Sequence, residues 1–215
     1  MNFEVYSEES NVIEYSEYTA MIHKIEQNEE NHQSHPGNQR RIYFNRDINY
    51  LVDGSGQEGV NIDRYSINIY DHDVNRMVLD KRSLRDGTVY RQYTYLSLNQ
   101  YSKLMGGDTD WMRSSDQPLI RELYLQMTIN RLTPGVVVDF HRSVYRLGYT
   151  GDHLIFDTAI DSTYEIIPEK LLDRDLQMKS RLEPNTVVMT YRQEMGIPKV
   201  LRHMLGLSQS VGQGL

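Results

Sequence analysis

The stretch Asp63-Arg64-Tyr65-Ser66-Ile67-Asn68-Ile69-Tyr70 decides the fold of this chain. Within it, Tyr65, Ile67 and Ile69 alternate with arginine, serine and asparagine. Successive side chains of a β-strand point to opposite faces, so the stretch predicts a strand with one apolar and one polar face. The polar face carries Arg64, Ser66, Asn68 and Tyr70.

The same alternation returns in three later stretches, at 77–83, 153–157 and 186–192. Apolar side chains such as Met77, Leu79, Leu154, Phe156, Val187 and Met189 fall on one parity of these stretches, and charged or hydrogen-bonding side chains fall on the other. Each of these stretches therefore predicts a strand with a polar face, like that of residues 63–70. The polar members are Asp80, Arg82, His153, Asp157, Thr190 and Arg192.

The order of the elements predicts the fold class. Strands are predicted at 3–6, 41–44, 64–70, 77–83, 88–95, 136–145, 153–157 and 186–192. Helices are predicted over 18–25, 98–105 and 119–127, and a last one begins near 198. Residues 27–39 are interpreted as a mobile loop and 53–56 as a glycine-rich turn. Runs of strands interrupted by helices predict an α+β protein with an antiparallel sheet. We expect one domain over residues 1–207, followed by a disordered tail at 208–215.

Two arrangements of this sheet remain open. In the first, the sheet is open, packs on helices by its apolar face and leaves the polar face in water. In the second, the sheet closes into a barrel, which removes its exposed edges and makes the polar face the lining of a lumen. Arginines in such a lumen attract a polyanion strongly, because the local dielectric constant is reduced.

Composition narrows the function classes. The 215 residues carry a formal net charge of −7, which disfavours a nucleic-acid partner. Cysteine is absent, so disulfides, thiolate metal sites and a cysteine nucleophile are excluded. The sequence has no apolar run of about 20 residues and no signal-peptide pattern at its start. We therefore expect a cytoplasmic protein without direct membrane insertion.

Several motifs carry a family resemblance. Residues 63–70 resemble a strand written KYRIRYY, and 77–87 resemble the hairpin IKLEKKSKRNG. Residues 118–124 resemble PLLRELY, and 136–142 resemble VIVDYTRE. Taken in this order, the motifs resemble the polyphosphate-polymerase domain of the vacuolar transporter chaperone (VTC) family, within the CYTH-like triphosphate-tunnel superfamily, and indicate a divergent bacterial member.

The resemblance implies a closed antiparallel β-barrel, the triphosphate tunnel, with flanking helices. It implies that basic side chains hold a nucleoside triphosphate or polyphosphate, and that carboxylates hold Mg²⁺ or Mn²⁺ for phosphoryl transfer. The phosphate ligands implied are Arg64, Arg82, Arg91, Arg142, His153 and Arg192. The metal ligands implied are Glu4, Asp80 and Asp157.

Departures from the family pattern keep the function open. Ser66 and Asn68 replace two arginines, Leu84 replaces a lysine, and Thr190 replaces a metal-binding glutamate. The first hypothesis is a polyphosphate polymerase-type phosphotransferase. The alternative is a catalytically degenerate tunnel that binds a polyanion or a protein partner without turnover. A weaker third is a tunnel phosphohydrolase, whose alternating Glu-x-Glu-x-Lys motif the N-terminal segment does not supply.

Two of the implied ligands also have structural interpretations. Arg142 could form an ion pair with Asp139 or with Asp157 instead of contacting phosphate. Asp80 lies two residues from Arg82 on the same strand face, where a carboxylate can orient a guanidinium as well as bind a metal.

Overall fold

A computed structural model describes residues 2–27, 32–44, 62–148 and 150–195. Its strands are β1 (Asn2–Glu14), β2 (His32–Phe44), β3 (Ile62–Tyr70), β4 (Met77–Arg85), β5 (Thr88–Leu96), β6 (Pro134–Arg146), β7 (His153–Thr163), β8 (Lys179–Ser180) and β9 (Thr186–Glu194). Its α-helices are α1 (Tyr15–Glu26), α2 (Leu98–Met105), α3 (Asp110–Arg113) and α4 (Pro118–Ile129), and a 3₁₀ turn covers Pro168–Lys170.

The sheet closes on itself. The strands follow the order β6-β2-β3-β4-β5-β1-β9-β7, all antiparallel, and β6 also pairs with β7. The short strand β8 adds to β7 outside this circuit. Eight strands thus form a closed antiparallel barrel with flanking helices. This confirms the predicted α+β class and the barrel arrangement over the open sheet.

The apolar face of the larger half of the barrel points outward. Tyr65, Ile67 and Ile69 of β3 are buried in one cluster with Leu104 of α2 and Leu123 of α4. The helices that follow β5 therefore cover the outside of β2 to β5, and burial of this face is the main stabilising contribution there. The polar parity is left to face the barrel interior, as the alternation predicted.

A second apolar cluster covers the other half of the barrel. Ile25 of α1 packs with Tyr145 of β6, Phe156 of β7 and Val187 of β9. The ring of Tyr18 meets that of Phe156 edge-on, with centroids 5.1 Å apart. Helix α1 thus holds the outside of β6, β7 and β9 and leaves their opposite parity inside.

A tight turn sets the register of β4 and β5. Asp86 and Gly87 both have positive φ, 46° and 76°, as a two-residue hairpin turn requires. The register that results places Arg82 opposite Arg91. The pairing of β3 with β4 places Arg64 opposite Arg82. Three arginines therefore follow one another across neighbouring strands.

One predicted element was wrong. Residues 27–39 are predicted to form a mobile loop, but within this segment the described residues from His32 onward belong to β2, which pairs with β6. A register shift between Ser34 and Gly37 accommodates the proline and glycine at 36–37. Pairing with β6 supplies the backbone hydrogen bonds, so local polarity does not decide the conformation.

Other expectations concern residues that the structure does not describe. The glycine-rich turn at 53–56, the last helix near 198 and the tail at 208–215 lie outside the described residues. Among the helices of the described ranges, none has the length and apolar character needed to cross a membrane.

Candidate anion-binding site in the barrel

A cavity of about 460 Å³ occupies one end of the barrel interior. Five arginines line it, against two carboxylates, so its lining has an excess of three positive charges although the whole chain is acidic. The charged side chains are Arg41, Arg64, Arg82, Arg142, Arg192, Glu8 and Asp157. Such focusing of one sign of charge in a cleft with low-dielectric walls attracts an anion.

Arg82 and Arg192 share one carboxylate and one ring. Arg82 donates a hydrogen bond from Nη2 to Glu8, and from Nε to the Tyr6 hydroxyl at 3.0 Å. Arg192 Nη2 lies 3.9 Å from Glu8, and its guanidinium lies 4.0 Å from the centroid of the Tyr6 ring. The single negative charge of Glu8 is therefore shared between two guanidinium groups.

The pKa shifts follow from this shared carboxylate. Burial raises the pKa of Glu8, but Arg82 and Arg192 outweigh it and hold the pKa below its ordinary value. Burial lowers the pKa of Arg192, and the nearby charge of Arg82 acts in the same direction against the opposing effects of Tyr6 and Glu8. Arg192 Nε is buried and has no hydrogen-bond partner among the described residues. The positive charge of Arg192 is thus only partly compensated.

Arg142 forms an ion pair inside the cavity. Its Nε and Nη2 donate to the two carboxylate oxygens of Asp157 at 2.7 and 2.6 Å. Asp139, the other partner considered, instead accepts two hydrogen bonds from the buried Arg40 on the outer side of the barrel. The geometry of the Arg142–Asp157 pair is bidentate, which is the strong form of this interaction.

Arg64 faces the same cavity without a partner. Its side chain lines the cavity, is half-buried, and makes no hydrogen bond or ion pair with any residue that the structure describes. Its cross-strand neighbour Arg82 carries a like charge, and like charges directly opposite are unfavourable. Together with Arg192, Arg64 offers donors that are not already engaged.

Two charged side chains of the cavity lining, those of Arg41 and Glu8, were not predicted from the sequence. Arg41 donates from Nε to Asn68 Oδ1 at 2.8 Å and from Nη1 to the Tyr43 hydroxyl at 3.1 Å. Glu8 is the shared carboxylate described above. The two-residue period could have found both, because Arg41 is two positions from Tyr43 and Glu8 is four from Glu4.

Arg91 is opposite Arg82 in the pairing of β4 with β5, but its side chain faces a different cavity. It lines a second cavity of about 300 Å³ and not the first one. Its Nε donates to Asp80 at 2.5 Å, and its Nη1 to Glu4 at 3.0 Å. Two of the predicted metal ligands, Glu4 and Asp80, therefore both accept hydrogen bonds from Arg91. Asp80 is paired with Arg91, while Arg82 is paired with Glu8.

His153 lies beside the first cavity rather than in its lining. It is opposite Arg192 in the pairing of β7 with β9. Its Nδ1 lies 3.4 Å from a carboxylate oxygen of Glu194. Of the predicted phosphate ligands, the structure thus brings four into one cavity and places two outside it. The four are Arg64, Arg82, Arg142 and Arg192.

The predicted metal ligands do not assemble into a metal centre. Asp157 belongs to the first cavity and is bound to Arg142, whereas Glu4 and Asp80 meet at Arg91. Within the described ranges, no three acidic or histidine side chains are grouped so that they could hold an ion. The described side chains therefore do not fit the divalent-metal site that the resemblance implies.

Comparison with solved structures identifies the barrel. A Hippeastrum protein, described as a proposed adenylyl cyclase with a dominant triphosphatase activity, matches with a TM-score of 0.51 at 12% identity, over 94% of this chain and 84% of that one. A proposed adenylate cyclase from Bacillus halodurans matches with a TM-score of 0.52 at 11% identity, over 97% and 94%. The chain has the triphosphate-tunnel fold. No protein-family model matches it, and no curated protein does.

Proposed function

We propose that this triphosphate tunnel binds a linear chain of phosphates, as a nucleoside triphosphate or as polyphosphate, in the arginine-lined cavity. One observation carries the proposal: five arginines converge there on two carboxylates. The dominant triphosphatase activity reported for the Hippeastrum protein gives independent support for a triphosphate ligand.

The unengaged donors supply the binding energy. Arg64 has no partner among the described residues, and Arg192 Nε has no hydrogen bond. A hydrogen bond to a charged group contributes about 1.5–3 kcal/mol. Two or three such bonds to phosphate oxygens add up to about 3–9 kcal/mol, which corresponds to dissociation constants from the millimolar to the micromolar range.

Binding without turnover is the form that the geometry supports best. Asp157 is held by Arg142, while Glu4 and Asp80 are held by Arg91. Each carboxylate would have to leave its arginine before it could serve a metal. The tunnel is therefore proposed as a binding module, located in the cytoplasm, that could present a phosphate chain to a protein partner.

Polyphosphate synthesis of the VTC type is the second candidate. It is supported by the ordered motif resemblance and by Arg142 and Asp157, both of which lie in the cavity. Incubation with ATP and Mn²⁺ or Mg²⁺, followed by detection of acid-stable polymer, tests it. ATP-dependent polymer formation would establish this enzyme activity, and absence of polymer at all ATP concentrations would exclude it.

Calorimetric titration with tripolyphosphate in metal-free buffer tests binding itself. We expect saturable binding by the wild-type protein and an affinity reduced about tenfold in Arg64→Gln, since one charged contact is lost. Arg113→Gln is the matched control, because Arg113 is exposed at the end of α3 and makes no ion pair with the residues described. No binding by the wild type, or equal losses in both variants, would reject the proposal.

A further inference from the structure

Two separate cavities lie toward opposite ends of strands β3 and β4. The first is lined on β3 and β4 by Arg64, Arg82 and Leu84, whereas the second is lined there by Tyr70 and Val78. The two cavities share no lining residue. A passage through the barrel would have to run between them.

A layer of inward-facing side chains lies between the two cavities on the β3 and β4 side of the barrel. Ser66 and Asn68 of β3 and Asp80 of β4 occupy the polar parity between the two sets of lining residues, and Tyr6 of β1 is the inward neighbour of Glu8 on the same side. Their exposed fractions are 4%, 2%, 2% and 0%. An open water-filled channel would leave inward-facing side chains accessible at every level, and these four are not.

Hydrogen bonds hold the layer together. Asn68 accepts from Arg41 at 2.8 Å and from Ser66 at 3.3 Å, and donates to Asp80 Oδ2 at 3.4 Å. Asp80 Oδ2 also accepts from Arg91 at 2.5 Å. The network links β2, β3, β4 and β5, so opening it would leave buried polar groups unpaired, which is costly.

The charges on the two sides of this layer differ. On the first side Arg64 and Arg192 lack full compensation, as described above. On the second side Arg91 contacts two carboxylates, and Arg76 pairs with Asp71 at 2.8 Å. The second cavity therefore has no unpaired arginine among the described residues. Asp80, whose Oδ1 is buried without a hydrogen bond, adds a negative charge at the layer itself.

We propose that the arginine cavity is blind and binds the terminus of a phosphate chain that enters end-on through one mouth. The proposal rests on the function proposed above and narrows it. The ligand class is linear phosphate chains with a free terminal phosphate, among them nucleoside triphosphates. A long polyphosphate does not thread through this barrel, so its internal phosphates are not bound.

The stoichiometry of polyphosphate binding tests the blind cavity. We expect each long linear polyphosphate to bind two protein molecules, one at each terminus, whatever its length. The same polymer with both terminal phosphates esterified should lose at least tenfold in affinity. Stoichiometry that rises with chain length, or unchanged affinity for the esterified polymer, would overturn the proposal. Failure of tripolyphosphate to bind at all would instead remove the proposed function, and with it this inference.

A matched pair of variants tests entry through one mouth. Leu84→Glu places a carboxylate in the first cavity, and Tyr95→Glu places one in the second, where Tyr95 is exposed. Both change the net charge of the protein equally. We expect Leu84→Glu to weaken tripolyphosphate binding at least tenfold and Tyr95→Glu to leave it unchanged. Equal losses, or a larger loss in Tyr95→Glu, would contradict a blind cavity with one mouth.

Discussion

The guanidinium of Arg192 lies 4.0 Å from the centroid of the Tyr6 ring, while its nearest carboxylate, that of Glu8, lies 3.9 Å away and is already bound to Arg82. A cation over an aromatic face gains only about 0.5–2 kcal/mol, less than a full counter-ion provides in a buried site. The pKa of Arg192 is accordingly lowered by burial. A bound anion should therefore gain the most interaction energy at Arg192.

Removal of the internal carboxylate should strengthen anion binding. Glu8 neutralises Arg82 and partly Arg192, so it competes with a phosphate for the same two cations. We expect Glu8→Gln to bind tripolyphosphate about tenfold more tightly, equivalent to about 1.4 kcal/mol. Calorimetric titration of both proteins measures the difference.

Glu9→Gln provides the control for this effect. Glu9 is the exposed neighbour of Glu8 on the opposite face of β1 and is absent from the cavity lining. The same loss of one negative charge should leave the affinity nearly unchanged there. A weaker affinity in Glu8→Gln would mean that Glu8 supports the ligand, for example by orienting Arg82, and does not compete with it.

Glu8 should also contribute to the acid dependence of stability. The folded-state pKa of Glu8 lies below its ordinary value of about 4.3. The stabilisation by Glu8 is therefore present above that ordinary value and is lost as the pH falls through the folded-state pKa. The free energy of unfolding of wild type and Glu8→Gln, measured with urea from pH 7 to pH 3, should converge as the pH falls. A constant difference across this range would contradict the assignment.

The Arg142–Asp157 pair should couple strongly in stability. Both side chains are more than four-fifths buried, and removal of one partner leaves a buried charge without compensation. We expect Arg142→Ala to reduce the free energy of unfolding by about 3 kcal/mol, and the double variant with Asp157→Ala to lose less than the two single losses combined. Additive losses in this double-mutant cycle would show that the pair does not act as a unit.

The two-residue period predicted which side chains face the barrel interior, because alternate residues of a strand must point to opposite faces of the sheet. Arg64, Arg82, Arg142 and Arg192 reach one cavity for this reason. The pattern does not give the pairing of side chains along that face. Asp80 is directly opposite Tyr93, and its contact with Arg91 is a diagonal one that depends on side-chain reach.

Two other features could not be predicted from local sequence. Strand β2 is polar through most of its first half, and only its pairing with β6 makes it a strand. The layer between the two cavities depends on hydrogen bonds between side chains of different strands, such as that from Arg41 to Asn68. In the family pattern that residues 63–70 resemble, an arginine is expected at position 68. The sequence alone therefore indicates only that Asn68 has lost a phosphate contact. In the structure, Asn68 instead hydrogen-bonds with Arg41, Ser66 and Asp80.

The most direct test of the central claim is a crystal structure of the protein grown with tripolyphosphate. The account predicts density for the anion inside the barrel, with terminal phosphate oxygens within hydrogen-bond distance of Arg64 and Arg192 and none beyond Asp80. Density in the second cavity, along the whole barrel axis, or only on the exterior would contradict it.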